Sequence, residues 1–271
     1  MRKRVPSISE LFDLSGRTAL VTGGGLGIGR QIAQGLMESG AEVIITSREL
    51  RKAKQSAGEL SRLTGGTAAG LALDVCDPKN IALVFEELAG RYGRLDILVN
   101  NAGGAPKSRY YNIWNRSPED WNLVIRTNLT GLFLCTQSAL RLMMPARKGS
   151  IINIASIAGM VGRNRRMYRG VDMRPNTVDY AACKAGIIGF TRDAAAELGP
   201  YGIRVNAISP GGVQRSHDPR FVRRYAQATA LGRMGIEGLD IKGAAVLLAG
   251  DAGGYITGAN IVVDGGFVVF K

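Results

Sequence analysis

A short apolar run that breaks into glycines and then into a helical pattern constrains this chain more than any other feature. Thr18–Thr22, read Thr-Ala-Leu-Val-Thr, predicts a strand. It runs into Gly23-Gly24-Gly25-Leu26-Gly27-Ile28-Gly29, and from about Ile28 to Glu38 apolar residues recur at helical spacing. A strand that turns at once into a helix needs residues without a Cβ, both to take the turn and to let another group approach the backbone. The free N–H groups at the start of such a helix form a seat for phosphate. A glycine cluster alone is weak evidence. The strand-turn-helix context makes it a candidate dinucleotide site, with Gly23, Gly25, Leu26, Gly27, Ile28 and Gly29 facing the ligand.

The same alternation continues along the chain. Further strands are predicted over 42–46, 69–74, 95–100, 150–155, 204–209 and 260–263. Helices are predicted over 49–63, from Asp77-Pro78 to about Tyr92, from Ser117, over 180–198 and over 241–249. Asp77 offers the cap and Pro78 the first helical position. Trp114 and Trp121 bracket Ser117 and are expected to pack the helix start. Strands that are apolar throughout and separated by helices imply a parallel sheet covered on both faces. The expected fold class is therefore α/β, a doubly wound Rossmann arrangement spanning 1–271 as one domain. Residues 1–13 form an N-terminal extension to it.

Composition removes several alternatives. The formal net charge is +13, which favours anionic ligands. The lysines and arginines are scattered, with no aromatic-interleaved stripe and no zinc-finger or helix-turn-helix signature, which argues against nucleic acid as the main partner. No apolar run reaches the roughly 18 residues that span a bilayer. Cys76, Cys135 and Cys183 lack metal-ligand spacing and read as reduced thiols of a cytoplasmic protein. His217 is the only histidine, so no metal site is expected. It is expected to be solvated.

The residue at the tip of the second strand discriminates between nicotinamide cofactors. An acid there would take the adenine ribose hydroxyls. This strand ends Thr46-Ser47-Arg48. Arg48 suits a 2′-phosphate and Ser47 adds a hydroxyl. NADP(H) is the preferred expectation, and Glu49 keeps NAD(H) open. Further on, Tyr180 and Lys184 stand four apart on one helix face. An ammonium beside a phenol favours the phenolate and lowers its pKa, which suits proton transfer at neutral pH.

Taken in order, Thr22-Gly23-x-x-x-Gly27-x-Gly29, Asp74, Asn100-Asn101-Ala102-Gly103, Asn128, Ser156, Tyr180-x-x-x-Lys184 and Ser209-Pro210-Gly211 resemble the short-chain dehydrogenase/reductase family. The resemblance runs from about Leu14 to Phe267. It implies a mainly parallel seven-stranded sheet, commonly assembled as a homotetramer. It implies hydride exchange between a nicotinamide and a carbonyl or secondary alcohol. At the matching positions Tyr180 would be the general acid/base and Ser156 would hydrogen-bond the reacting oxygen. Lys184 would lower the tyrosine pKa and hold the nicotinamide ribose, and Asn128 would hold a relay water. Asp74 and Val75 would contact adenine, Asn101, Ala102 and Gly103 would flank the cofactor, and Pro210, Gly211 and Val213 would lie beside the nicotinamide. Residues 257–266 resemble the family's subunit-contact segment. A non-catalytic dinucleotide-binding scaffold is the alternative, which would not need Ser156 together with Tyr180.

Three departures stand out. Ser156 and Tyr180 lie much further apart than is usual, so the stretch 162–178 is expected to loop out beside the substrate mouth. Val213-Gln214-Arg215 stands where a threonine usually contacts the cofactor carboxamide. Leu26 stands where NADP-using relatives often carry a basic residue. The insertion holds Arg163, Arg165, Arg166, Arg169 and Arg174. The substrate-side segment 211–234 holds Arg215, Arg220, Arg223, Arg224 and Arg233. Guanidinium groups there would suit an anionic carbonyl substrate, a keto sugar acid or a carrier-bound 3-oxoacyl thioester, as in gluconate 5-dehydrogenase-like and 3-oxoacyl reductase-like relatives.

Overall fold

The computed structural model describes residues 4–104 and 112–270. Its elements, in chain order, are α1 (Ile8–Phe12), β1 (Thr18–Val21), α2 (Gly27–Glu38), β2 (Glu42–Ser47), α3 (Leu50–Thr64), β3 (Ala68–Ala72), α4 (Pro78–Tyr92), β4 (Ile97–Asn100), α5 (Pro118–Ile125), α6 (Gly131–Ala146), β5 (Gly149–Ile154), α7 (Val178–Leu198), β6 (Ile203–Pro210), α8 (Pro219–Gln227), α9 (Lys242–Ala249) and β7 (Asn260–Val263). The seven strands form one sheet in the order β3-β2-β1-β4-β5-β6-β7. Every pairing is parallel. The expected α/β doubly wound fold is borne out, and the sheet is wholly rather than mainly parallel.

Period-two alternation explains why the strands read as unbroken apolar runs. In β1, Ala19 and Val21 enter one core while Leu20 enters the other. Val43 and Ile45 face the first core and Ile44 the second, and Ile97, Val99 and Leu98 divide in the same way. The first core is closed by residues of α2, α3 and α9, and the second by residues of α4, α6 and α7. Both faces of each central strand are therefore dry, so polar alternation has nowhere to appear.

The helix signals hold where a cap was visible. Asp77 accepts from the backbone N–H groups of Lys79 and Asn80, and Ser117 accepts from that of Asp120. Two helices were not predicted. Asp218-Pro219 opens α8 through the same cap and first-turn proline seen at Asp77-Pro78, and Ser7 with Glu10 forms a capping box at α1. Trp114 and Trp121 do not pack the helix start. Both are exposed, Trp114 at 80% and Trp121 at 39%, because that end of α5 packs on α7 through Arg116 and Asp120 instead.

Candidate active site

The strand order reverses between β1 and β4, where a crevice must open at the carboxyl ends of the strands. The predicted site residues collect there. Gly23 follows β1, Ser47 ends β2, Asp74 and Val75 follow β3, Asn101 to Gly103 follow β4, Ser156 follows β5, and Pro210 ends β6. All of these line a single cavity of about 940 Å³, near the upper end of the roughly 300–1,000 Å³ of small-molecule sites. Tyr180 and Lys184 reach it from α7. Asn128 is fully buried behind the wall.

The glycine turn is built to receive an anion. Gly23 and Gly27 sit at φ +62° and +59°, which strongly favours glycine. A Cβ on Gly29 would collide with the Asn101 amide and the Gly23 carbonyl. Asn101 is itself the tether of this loop, since its Nδ2 donates to the carbonyls of Thr22 (2.9 Å) and Gly23 (3.1 Å). Leu26 is the N-cap of α2 and offers no side-chain cap, and the first turn carries no acid. The first N–H groups of α2 therefore lack a side-chain acceptor, as a phosphate site requires. Nearby, Glu49 is engaged by Lys52 at 2.5 Å, while Arg48 lines the cavity from an exposed position. Asp74 Oδ1 accepts from the Cys76 N–H at 2.9 Å. These residues fit a nicotinamide dinucleotide.

At the far end of the cavity Tyr180 and Ser156 line the same wall space, and Ser156 Oγ accepts from the Ala158 N–H at 3.1 Å. Lys184 is buried and its Nζ donates to the Ile154 carbonyl at 2.6 Å. It stands 5.5 Å from the centre of the Tyr180 ring. The electrostatics differ from expectation. Burial pushes the Tyr180 phenol up, while the Ser156 hydroxyl and the charge of Arg163 pull it down and the Cys183 thiol adds a further upward push. Burial also pushes the Lys184 ammonium down to about 8. The net direction for the phenol is upward, because burial outweighs the influences that lower it. A protonated Tyr180 at neutral pH is a proton donor, the state needed to protonate a carbonyl oxygen.

Asn128 lies in a π-turn, Arg126–Thr130, between α5 and α6. Its Nδ2 donates to the carbonyls of Gly104 (2.8 Å) and Val124 (2.9 Å), and its Oδ1 accepts from the Gly104 N–H (2.9 Å). Both side-chain donors are thus committed to backbone, and only an Oδ1 lone pair or the main chain is left to hold a water.

Residues of the stretch 162–178 line the same cavity as Ser156. Met167 from it joins Phe221, Tyr225 and Met234 in a small core, with Tyr168 and Phe267 against it. The arginine-rich mouth is less free than the sequence suggested. Arg215 pairs with Glu237, Arg220 with Asp218 and Arg233 with Asp240, and Arg224 donates to the carbonyls of Met167 and Arg169. Arg163 is different. It is half-buried in the cavity wall, its charge bears on both Tyr180 and Tyr225, and it has no carboxylate partner among the described residues. His217 is not simply solvated either. It is half-buried, stacked on Phe221 with centroids 5.7 Å apart, and accepts from the Arg215 N–H at 3.0 Å.

The comparisons with known proteins agree with this geometry. A family model described as enoyl-(acyl carrier protein) reductase matches residues 24–268. The chain belongs to the short-chain dehydrogenase/reductase family. This dehydrogenase/reductase is 37% identical over 260 residues to the 3-oxoacyl-(acyl-carrier-protein) reductase FabG of Escherichia coli, covering 94% of this chain and 98% of that one. It is 36% identical over 257 residues to FabG of Aquifex aeolicus, covering 93% and 98%. A gluconate 5-dehydrogenase from Burkholderia cenocepacia, solved in complex with NADP and tartrate, superposes with a TM-score of 0.86 at 32% identity, covering 97% of this chain and 99% of that one. The chain is accordingly an NAD(P)-dependent oxidoreductase of the C=O/CH–OH class. Among the described residues no helix is long and apolar enough to cross a membrane.

Proposed function

We propose that this enzyme is an NADP(H)-dependent reductase or dehydrogenase of a small anionic carbonyl compound, of the keto sugar acid type. The observation that carries the proposal is that Ser156, Tyr180 and Lys184 line one cavity with the uncapped glycine turn and with Arg163, which has no carboxylate partner among the described residues. When bound, the dinucleotide supplies or accepts the hydride. Tyr180 gives its proton to the substrate oxygen, Ser156 orients that oxygen, and Lys184 holds the ribose of the cofactor from its seat on the Ile154 carbonyl. Asn128 anchors the relay water at the π-turn. Asp74 and Val75 flank the adenine, Asn101 to Gly103 support the cofactor, and Pro210, Gly211 and Val213 shape the nicotinamide side. The neighbour solved with NADP and tartrate, a dicarboxylate, supports both the cofactor and the charge of the substrate. A carrier-bound 3-oxoacyl thioester is the second reading. It is favoured by the similarity to 3-oxoacyl reductases and by the exposed Arg165, Arg166 and Arg169 on the insertion, which would meet an acidic carrier protein. We further assign the protein to the cytoplasm, supported by its free Cys76, Cys135 and Cys183, and to a homotetramer, supported by the half-exposed sheet edge β7.

Two tests follow from the ends of the cavity. Arg48→Ala is expected to weaken NADPH binding by about 10- to 100-fold, the worth of a charge-assisted contact, and to leave NADH binding unchanged in a fluorescence titration. Equal effects on both would remove the 2′-phosphate role. Arg163→Ala is expected to raise KM for an anionic keto acid by a similar factor, about 10- to 100-fold, and to spare a neutral ketone. A panel of keto sugar acids, 3-oxoacyl thioesters and plain ketones decides the substrate class. Activity confined to the thioesters would replace the first reading by the second.

A further inference from the structure

Arg215 has a seat that its sequence position alone does not explain. Its segment is pinned by the Val213–Gly235 bridge, with Gln214 N–H donating to the Gly235 carbonyl at 2.8 Å. Its side chain is pinned on the same turn, where Nε donates to Glu237 Oε1 at 2.8 Å. The far side of the guanidinium lies close to the glycine loop at the same cavity. A methyl group placed on Gly27 would sit 2.5 Å from Nη2, 3.1 Å from Cζ and 3.3 Å from Nη1. Neither Nη group has a hydrogen-bond partner among the described residues. Four N–H donors thus face the uncapped start of α2, where the backbone N–H groups also lack a side-chain acceptor. Two sets of unsatisfied donors, one from the guanidinium and one from the helix start, converge on one place, and both would be satisfied by the oxygens of a single anion.

We propose that Arg215 clamps the cofactor's pyrophosphate against the α2 N-terminus, with Glu237 holding the guanidinium in place. The turn after β6 then offers a fixed cation where a threonine hydroxyl was expected. It fastens the substrate-side segment to the cofactor rather than to the substrate. Arg48 and Arg215 divide the dinucleotide between them, the former at the 2′-phosphate and the latter at the bridge common to NADPH and NADH. The inference rests on the dinucleotide reading above.

The test is a fluorescence or calorimetric titration of wild-type protein and Arg215→Ala with NADPH, NADH and ADP-ribose. The last keeps the pyrophosphate and lacks the nicotinamide. Arg215 is part-exposed and its pair with Glu237 contributes little to folding, so the variant folds. The expected result is a loss of affinity of about 10- to 100-fold, equal for all three ligands. An effect on NADPH alone would move Arg215 to the 2′-phosphate and overturn the proposal. Weaker NADH binding with ADP-ribose unchanged would move it to the nicotinamide and overturn it equally, as would no change in any ligand. Wild-type protein that binds none of the three would remove the dinucleotide reading itself, an outcome distinct from a wild type that binds and a variant that binds as well.

Discussion

Replacing Tyr180 by phenylalanine is expected to lower turnover by about 10²–10⁴-fold, the usual worth of a positioned general acid. Dinucleotide affinity should change far less. The substitution removes one oxygen and leaves the ring, so the wall of the cavity keeps its shape. What is lost is the proton that goes to the substrate oxygen. The pH profile of the wild type carries a second, independent readout. Because burial holds the phenol above its ordinary value, reduction should stay flat through neutral pH and fall only as the phenol ionises. Oxidation of the alcohol needs the phenolate and should rise over the same alkaline range. Steady-state rates in both directions, with cofactor binding measured in parallel, check all of this. Full turnover in Tyr180→Phe would remove Tyr180 as the general acid, whereas a wild type that binds the dinucleotide and turns over no carbonyl would return the protein to the non-catalytic scaffold reading.

That prediction also marks where sequence reasoning reached and where it stopped. Tyr180 and Lys184 are recognisable because four residues make one helical turn, a local relation. The charge state of the pair is not legible in that spacing, because burial and distant groups set it. Lys184 finds the Ile154 carbonyl thirty positions away, and Arg163 enters from an insertion. The sheet was legible for the opposite reason. Each central strand is buried on both faces, so its composition alone announces it, and the glycine turn announces the crevice. Asn101 was expected beside the cofactor, yet its amide holds the loop that would hold the cofactor, a role that leaves no trace in local spacing. The helix α8 was available to be read, since Asp218-Pro219 repeats the signal used at Asp77-Pro78. The arginine-rich mouth is more engaged than the spacing shows. Asp218, Glu237 and Asp240 sit close by in the same region of sequence and pair with three of the guanidinium groups.

The second large effect is expected at a residue pair that local spacing does not single out. Arg116 and Asp179 form an ion pair at 2.6 Å, and their side chains are 4% and 0% exposed. Arg116 Nε also donates to Asp179 Oδ2 at 2.7 Å, and Asp120 takes a further nitrogen at 3.1 Å. Asp179 lies in the first turn of α7, where a carboxylate also favours the helix N-terminus, and its Oδ1 accepts from the Tyr180 N–H at 2.8 Å. Desolvating both charges offsets much of their attraction, so the pair adds little net stability as a unit. Breaking it is another matter, because the partner is left charged and buried. Asp179→Ala should therefore cost about 3–5 kcal/mol in denaturant unfolding. The double variant Arg116→Met/Asp179→Leu should recover most of that loss, since an apolar pair of similar volume carries no desolvation cost. The pair also seats the first turn of α7, and with it Tyr180. The double variant should stay folded yet turn over more slowly, with the loss in kcat rather than in cofactor affinity. A loss below about 1 kcal/mol for Asp179→Ala would make the pair equivalent to a surface contact. Undiminished kcat in the double variant would detach the ion pair from the positioning of Tyr180.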